Sequence, residues 1–174
     1  MSSAKSPAKS SGLSLQGRQP GLRARPAADW LALDQQLCFA LYSASLSMTK
    51  LYKPLLEPLG LTYPQYLVML VLWEGDAIAV SELGQRLTLD SGTLTPLLKR
   101  LETSGLVARQ RDADDERRVL LKLTAAGRAL KARAAKVPTQ VACATACSLD
   151  ELASLTARLK QLRVAITDFS TRAA

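Results

Sequence analysis

Among its 174 residues the chain has no histidine. Histidine-dependent zinc sites, Ser-His-Asp triads and Cys-His nucleophile pairs are therefore excluded, and most hydrolase chemistry goes with them. Cysteine is scarce as well. Three cysteines, an odd number without a CxxC spacing, fit neither a secreted disulfide framework nor a zinc module, and they point to a reducing, cytoplasmic compartment. Long apolar runs are missing: the longest, Tyr66 to Trp73, stops at Glu74, short of the ~18 residues that a membrane-spanning helix needs. No membrane partner, metal or cofactor is expected. What remains is a chain that is 48% hydrophobic, enough for one domain with a real core.

The net charge of +8 is unevenly spread. Residues 1–28 are built from Ser, Pro, Ala, Gly and bases, and hold Lys5, Lys9, Arg18, Arg23 and Arg25 with no acid. This composition reads as a disordered basic extension, without the apolar core of a secretory signal or the amphipathic stripe of a transit peptide. From Arg86 to Lys136 there are 12 bases and 6 acids, so the middle of the fold is basic while the rest of it is mildly acidic.

The chain is expected to be mainly α. Asp29 to Tyr52 reads as one long helix closed by Pro54 and Pro58. Thr62 to Trp73 reads as a buried helix, with Thr62 or Tyr63 as cap and Pro64 in its first turn. Ser81 is expected to cap a short helix through Leu87. Asp90 or Ser91 opens another that Gly105 stops. In it Leu94, Leu97, Leu98 and Leu101 form one apolar stripe, and the opposite face collects Gly92, Thr95, Pro96, Lys99, Arg100 and Thr103. Val107–Arg111 and Arg117–Leu123 read as a hairpin. Thr124 caps a helix running toward Ala146 with a kink at Pro138, and Ser148 with Glu151 forms a capping box for a last helix. Leu152, Leu155, Leu159, Leu162 and Ile166 stripe that helix.

Two short helices on a tight turn, followed by a hairpin with basic residues beside its tip, describe a winged helix-turn-helix, whose second helix fits a DNA major groove. Ser91, Thr93 and Thr95 are placed to donate to phosphates or base edges near the helix start, and Lys99 and Arg100 suit phosphate or guanine. Arg109, Arg111, Arg117 and Arg118 flank the hairpin tip, where arginine suits a narrow minor groove. Asp112, Asp114, Asp115 and Glu116 sit among them, and the competing reading is a solvated hairpin whose charges cancel.

Cys38 lies within the first helix, and Tyr42, Ser45, Thr49 and Tyr52 share its stripe beside an apolar one. A buried lone cysteine often acts only as a small hydrophobe. Phenols, however, donate hydrogen bonds to a thiolate and favour its nucleophilic form. Cys38 and Tyr52 are about 21 Å apart along a straight helix, so a contact between them has to cross to a second subunit. Cys143 and Cys147 are one helical turn apart, and either is a candidate to resolve an oxidised Cys38, since a sulfenic acid condenses with a neighbouring thiol.

The stretch LDQQLCFALYSASLSMTKLYKPLLEPLGLTYPQYLVMLVLWE, followed by LDSGTLTPLLKRLETSGLVARQRDADDERRVLLKLT, resembles the MarR family, specifically its organic hydroperoxide-sensing repressors, the OhrR branch. DSGTLTPLLKRLE carries the wider family; QLCFALY with the tyrosines of KLYKPL and LTYPQY carries the branch. The resemblance implies a MarR-type domain over 29–174, with dimerisation helices at 29–60 and 125–174 and a winged helix-turn-helix at 62–124. It implies a homodimer on an inverted repeat of double-stranded operator DNA, with Cys38 as the peroxide sensor. Tyr52 and Tyr63 would come from the partner subunit, Tyr42 would line the pocket, and Cys143, or as second choice Cys147, would be the resolving thiol. An organic hydroperoxide would oxidise Cys38 to a sulfenic acid, an inter-subunit disulfide with Cys143 would follow, and release from the operator would derepress a peroxide-detoxifying gene. The 28-residue extension departs from the pattern and has no assigned role. Three rivals remain at this level. One is a MarR-like repressor released by a small aromatic ligand, with structural cysteines. Another is a thiol peroxidase, which would turn over repeatedly with a thiol reductant; the third, a protein-binding winged helix, would lack salt-dependent DNA affinity.

Overall fold

A computed structural model describes residues 31–113, 115 and 117–173. The basic extension expected over 1–28, the start expected for the first helix at Asp29, and the hairpin acids Asp114 and Glu116 lie outside the described residues. The chain divides into two compact units, 1–42 and 43–174.

In the first unit a 3-10 turn, Leu33–Gln35, precedes the start of helix α1, Leu37–Leu56, whose remainder belongs to the second unit. Among the described residues the helix expected over 29–52 is thereby shifted: it starts at Leu37 and runs past Tyr52 to Leu56. The Gln35 and Gln36 amides donate to the Ala32 and Leu33 carbonyls at 3.0 Å. Gln36 is extended, with ψ of 114°, so the α-helix begins afresh at Leu37. At the other end the helix continues through Pro54. A proline inside a helix costs about 3 kcal/mol, and the complete burial of Leu56 two residues on, worth about 2 kcal/mol, offsets much of it.

In the second unit, α2 (Tyr63–Glu74) is the central element, with Tyr66, Val68, Met69 and Leu72 almost fully buried. Its start is the expected one. Gln65 Oε1 accepts from the Thr62 amide at 2.8 Å and from its hydroxyl at 3.0 Å, which satisfies a buried amide and fixes the first turn. Strand β1 (Ile78–Ala79) follows, with no counterpart among the expected elements. Helix α3 (Val80–Leu87) starts ahead of the expected cap: Ala79 holds the cap position without a side-chain bond, and Ser81 lies exposed in the first turn. Thr88 makes the turn in the left-handed region, with φ of 57°. Helix α4 (Ser91–Thr103) buries Leu94, Leu97, Leu98 and Leu101, the expected stripe, and Gly105 with φ of 70° ends it.

Strands β2 (Val107–Arg111) and β3 (Val119–Leu123) form the hairpin, and β1 adds to β3, so the antiparallel order is β1-β3-β2. Val107 pairs with Leu123 and Arg111 with Val119. The second strand starts later than expected because Arg117 and Arg118 belong to the turn, their amides donating to Asp115 Oδ1 at 3.0 Å and Asp115 O at 2.9 Å. Thr124 caps α5 (Ala125–Ala134) through the Gly127 amide at 3.0 Å. The expected continuous helix to Ala146 is instead broken at Ala135–Lys136 and resumes as α6 (Val137–Ala144). Pro138 has no amide hydrogen and its ring opposes the carbonyl of residue 134, so it is accommodated in a new first turn rather than as a kink. The last helix, α7 (Leu149–Ala173), opens on the expected capping box, Glu151 Oε2 accepting from the Ser148 amide and hydroxyl at 2.8 Å. Its Leu155, Leu159, Ile166 and Phe169 are exposed in the single chain. Among the described residues no single helix is long and apolar enough to cross a membrane.

Candidate DNA interface and thiol site

The start of α4 is fixed by Asp90. Its carboxylate accepts from the Thr93 amide at 2.8 Å and from the Thr93 hydroxyl at 2.9 Å. These two bonds, the amide first, hold the Asp90 carboxyl below the usual carboxylate range. The helix N-terminus, expected to attract phosphate, thus already carries an anion of its own. Thr95 donates to the Ser91 carbonyl at 2.7 Å, so the hydroxyl protons of Thr93 and Thr95 are both used within the chain. Both side chains meet solvent as acceptors rather than as the donors expected from sequence. Ser91, Lys99 and Arg100 are exposed on the same helix. Between α3 and α4 lies a groove of about 650 Å³ whose walls include Ser81 and Gln85, two polar residues not among the expected DNA-binding set. The polar, amphipathic face of the short α3 is the signal in the sequence that points to them.

An ion pair ties the hairpin to α4, Arg109 Nε to Glu102 Oε2 at 3.1 Å. Both partners are about one-third exposed (35% and 30%), so Arg109 is engaged in holding β2 against the end of α4. Arg118 lies 3.8 Å from Asp112, an acid near the tip that orients an arginine. Arg109, Arg117 and Arg118 together border a cleft of about 290 Å³ whose other wall is Val80 and Ser81. Arg111 and Arg117 are exposed. Three of the four wing arginines therefore border one cleft.

Tyr52 of α1 meets Tyr63 of α2 with ring centroids 4.6 Å apart. A third phenol, Tyr66, joins at 5.9 Å from Tyr52 and stands edge-on to Trp73 at 6.3 Å. Burial, then the neighbouring phenols, raises the Tyr52 and Tyr66 hydroxyls above their usual value, so both remain protonated donors at neutral pH. Tyr66 is not singled out by the sequence, although its spacing of three from Tyr63 places the two on one helix face.

All three cysteines are free thiols and exposed. Cys38 and Tyr42 lie one turn apart in the first unit, both exposed. Cys143 is in α6, and Cys147 follows it, donating to the Thr145 carbonyl at 3.3 Å. Among the described residues no group of three or more Cys, Asp or Glu side chains is placed to hold a metal ion.

A family model described as transcriptional regulator SarA/Rot matches residues 50–134. Over 110 residues the chain is 54% identical to the organic hydroperoxide resistance transcriptional regulator of Bacillus subtilis (strain 168), a match covering 63% of this chain and 75% of that protein. The chain belongs to the MarR family, in its organic hydroperoxide regulator branch. Among solved structures this MarR-family chain is similar to reduced AbfR of Staphylococcus epidermidis bound to DNA, with a TM-score of 0.66 and 34% identity over 80% of this chain and 96% of that one. It is also similar to disulfide-formed AbfR, with a TM-score of 0.53 and 36% identity over 78% and 95%. The winged helix-turn-helix expected from sequence is the fold these MarR-type regulators share.

Proposed function

We propose that this regulator is a homodimeric repressor that binds an inverted repeat of double-stranded DNA and is released when an organic hydroperoxide oxidises Cys38. The observation that carries the reading is the Tyr52–Tyr63–Tyr66 cluster, a set of protonated phenols in a chain 54% identical to an organic hydroperoxide resistance regulator. Residues 62–124 form the DNA-binding region, and 29–60 with 125–174 the dimerisation helices. The exposed apolar row of α7 supports pairing with a second copy. On DNA, α4 enters the major groove with Ser91, Thr93, Thr95, Lys99 and Arg100, while Arg111, Arg117 and Arg118 follow the backbone into the minor groove. Arg109 sets the wing against α4.

In the sensing step the Cys38 thiolate attacks the distal oxygen of the hydroperoxide. The O–O bond breaks, the alkoxide leaves and takes a proton to become the alcohol, and Cys38 becomes a sulfenic acid. Tyr52 and Tyr63 of the partner subunit donate to the reacting sulfur and oxygen, and Tyr42 lines the pocket. The Cys143 thiol of the partner subunit then attacks the sulfenic sulfur, water leaves, and a disulfide joins the two chains. Moving from mostly bound to mostly free requires the disulfide to disfavour the DNA-competent state by about 5 kcal/mol, which a covalent clamp incompatible with that geometry supplies. The resemblance to AbfR structures in reduced, DNA-bound and disulfide-formed states supports a redox cycle of this kind.

The test is a non-reducing gel run beside an electrophoretic shift on an operator selected from random duplex, before and after cumene hydroperoxide. Wild type is expected to cross-link and release DNA. Cys38→Ser is expected to do neither, and continued release from Cys38→Ser would overturn the sensor. Cross-linking that survives in Cys143→Ser would make Cys147 the resolving thiol.

A further inference from the structure

Beside the phenol cluster, between the second half of α1 and the start of α2, lies a cavity of about 540 Å³. Its volume falls within the range of small-molecule sites. Leu61, Tyr63 and Pro64 give it an apolar wall, and Tyr63 belongs at once to this wall and to the phenol cluster. Lys50 and Lys53, three apart and so on one face of α1, stand at its edge with Glu57. Among the described residues neither lysine is within ion-pair distance of Glu57 or of any other acid. Of the three hydroxyl-bearing residues that share the cavity, the two threonines have their protons engaged, Thr49 on the Ser45 carbonyl at 2.9 Å and Thr62 on Gln65 at 3.0 Å, and the third is Tyr63. The charged groups left to bind a ligand are therefore two ammonium groups, opposed by a single carboxylate and accompanied by the Tyr63 phenol. The site combines an apolar wall, an excess of one positive charge, and a phenol leading into the proposed reaction centre.

We infer that this cavity selects hydroperoxides carrying a carboxylate, with the hydrocarbon on the Leu61–Pro64 wall, the carboxylate on Lys50 and Lys53, and the hydroperoxide group directed past Tyr63. The inference rests on the sensing role proposed for Cys38, and makes Lys50 and Lys53 specificity-determining residues that take no part in the oxidation itself. A neutral ester of the same chain occupies the apolar wall but leaves both ammonium groups without an anion.

The experiment uses the full-length reduced protein and compares thiol oxidation by a long-chain fatty-acid hydroperoxide, its methyl ester and cumene hydroperoxide. Two exposed charge pairs predict that wild type reacts with the acid up to about tenfold faster than with the ester, or about 1.4 kcal/mol for the two together, with the advantage shrinking as salt rises. Lys50→Met with Lys53→Met is expected to bring the acid down to the rate of the ester while the cumene rate holds, which also reports that the variant is folded and reactive. An acid-to-ester ratio near one in wild type, or a ratio that survives in the double variant, would overturn the inference. Equilibrium dialysis of decanoate, which has no peroxide, provides a readout independent of oxidation. Weaker binding to the double variant than to wild type is expected, and equal binding counts against the carboxylate site. If no hydroperoxide oxidises Cys38 in wild type but decanoate binding still depends on the lysines, the sensing role fails while the carboxylate site stands.

Discussion

Gly127→Ala is expected to destabilise the regulator by about 2–4 kcal/mol, although alanine is the better helix former. Gly127 occupies the first turn of α5, and a Cβ there would lie 2.1 Å from the Leu106 carbonyl oxygen and 3.2 Å from Leu123 Cδ2. The first neighbour is backbone, so it cannot rotate away, and about an ångström of displacement is needed to restore van der Waals contact. That shift acts on three bonds meeting at the same place. The Thr124 hydroxyl caps the Gly127 amide at 3.0 Å, the Thr124 amide donates to Leu106 O at 3.1 Å, and Trp73 Nε1 donates to Gly127 O at 2.9 Å. Losing the cap costs about 1 kcal/mol, losing the indole bond about 1, and overpacking about 1–3. Against these, the helix propensity of alanine returns about 1 kcal/mol. The assay is urea unfolding of wild type and variant at one fixed protein concentration, since association makes the midpoint concentration-dependent. A variant as stable as wild type or more so would refute the packing argument, because only the propensity gain would then be visible.

Two further outcomes concern the reading helix and the wing. Asp90 has a lowered folded-state pKa, so the stability of its cap is fully present above the ordinary carboxylate value and is lost only as pH falls through the lowered one. Asp90→Asn keeps a neutral cap and is expected to show a flatter acid limb when thermal midpoints are followed from neutral to strongly acid pH; identical limbs would contradict this. Arg117→Ala is expected to weaken operator binding and to make the slope of log K against log salt shallower by about one, the share of a single neutralised phosphate. An unchanged slope would remove Arg117 from the groups that bind the DNA backbone.

The sequence was most legible where a single local rule decides the outcome. Leu94, Leu97, Leu98 and Leu101 are buried together because one helical stripe can face only one core. The Thr124 cap, the Ser148–Glu151 box and the Gly105 stop are likewise local chemistry. Features that depend on distant partners were not legible. Strand β1 is two residues long, too short for an alternating pattern, and exists because Ile78 and Ala79 pair with Leu121 and Leu120. The passage of α1 through Pro54 depends on the pocket that receives Leu56. In the site, Tyr52 and Tyr63 could be singled out by type and context. Tyr66 has the pattern of an ordinary core residue, and only the ring geometry joins it to them.

The carboxylate of Asp90 at the start of the reading helix has a consequence for how the regulator searches a genome. Nucleic acid presents the same phosphate everywhere, so a bare helix end would strengthen attachment to every stretch of it equally. An internal anion lowers that indiscriminate component and leaves contacts to base edges untouched. Correct and incorrect sites thereby move apart in occupancy even as absolute affinity falls. For the oxidation-released repressor proposed above, weak residual attachment elsewhere on the duplex would be an advantage.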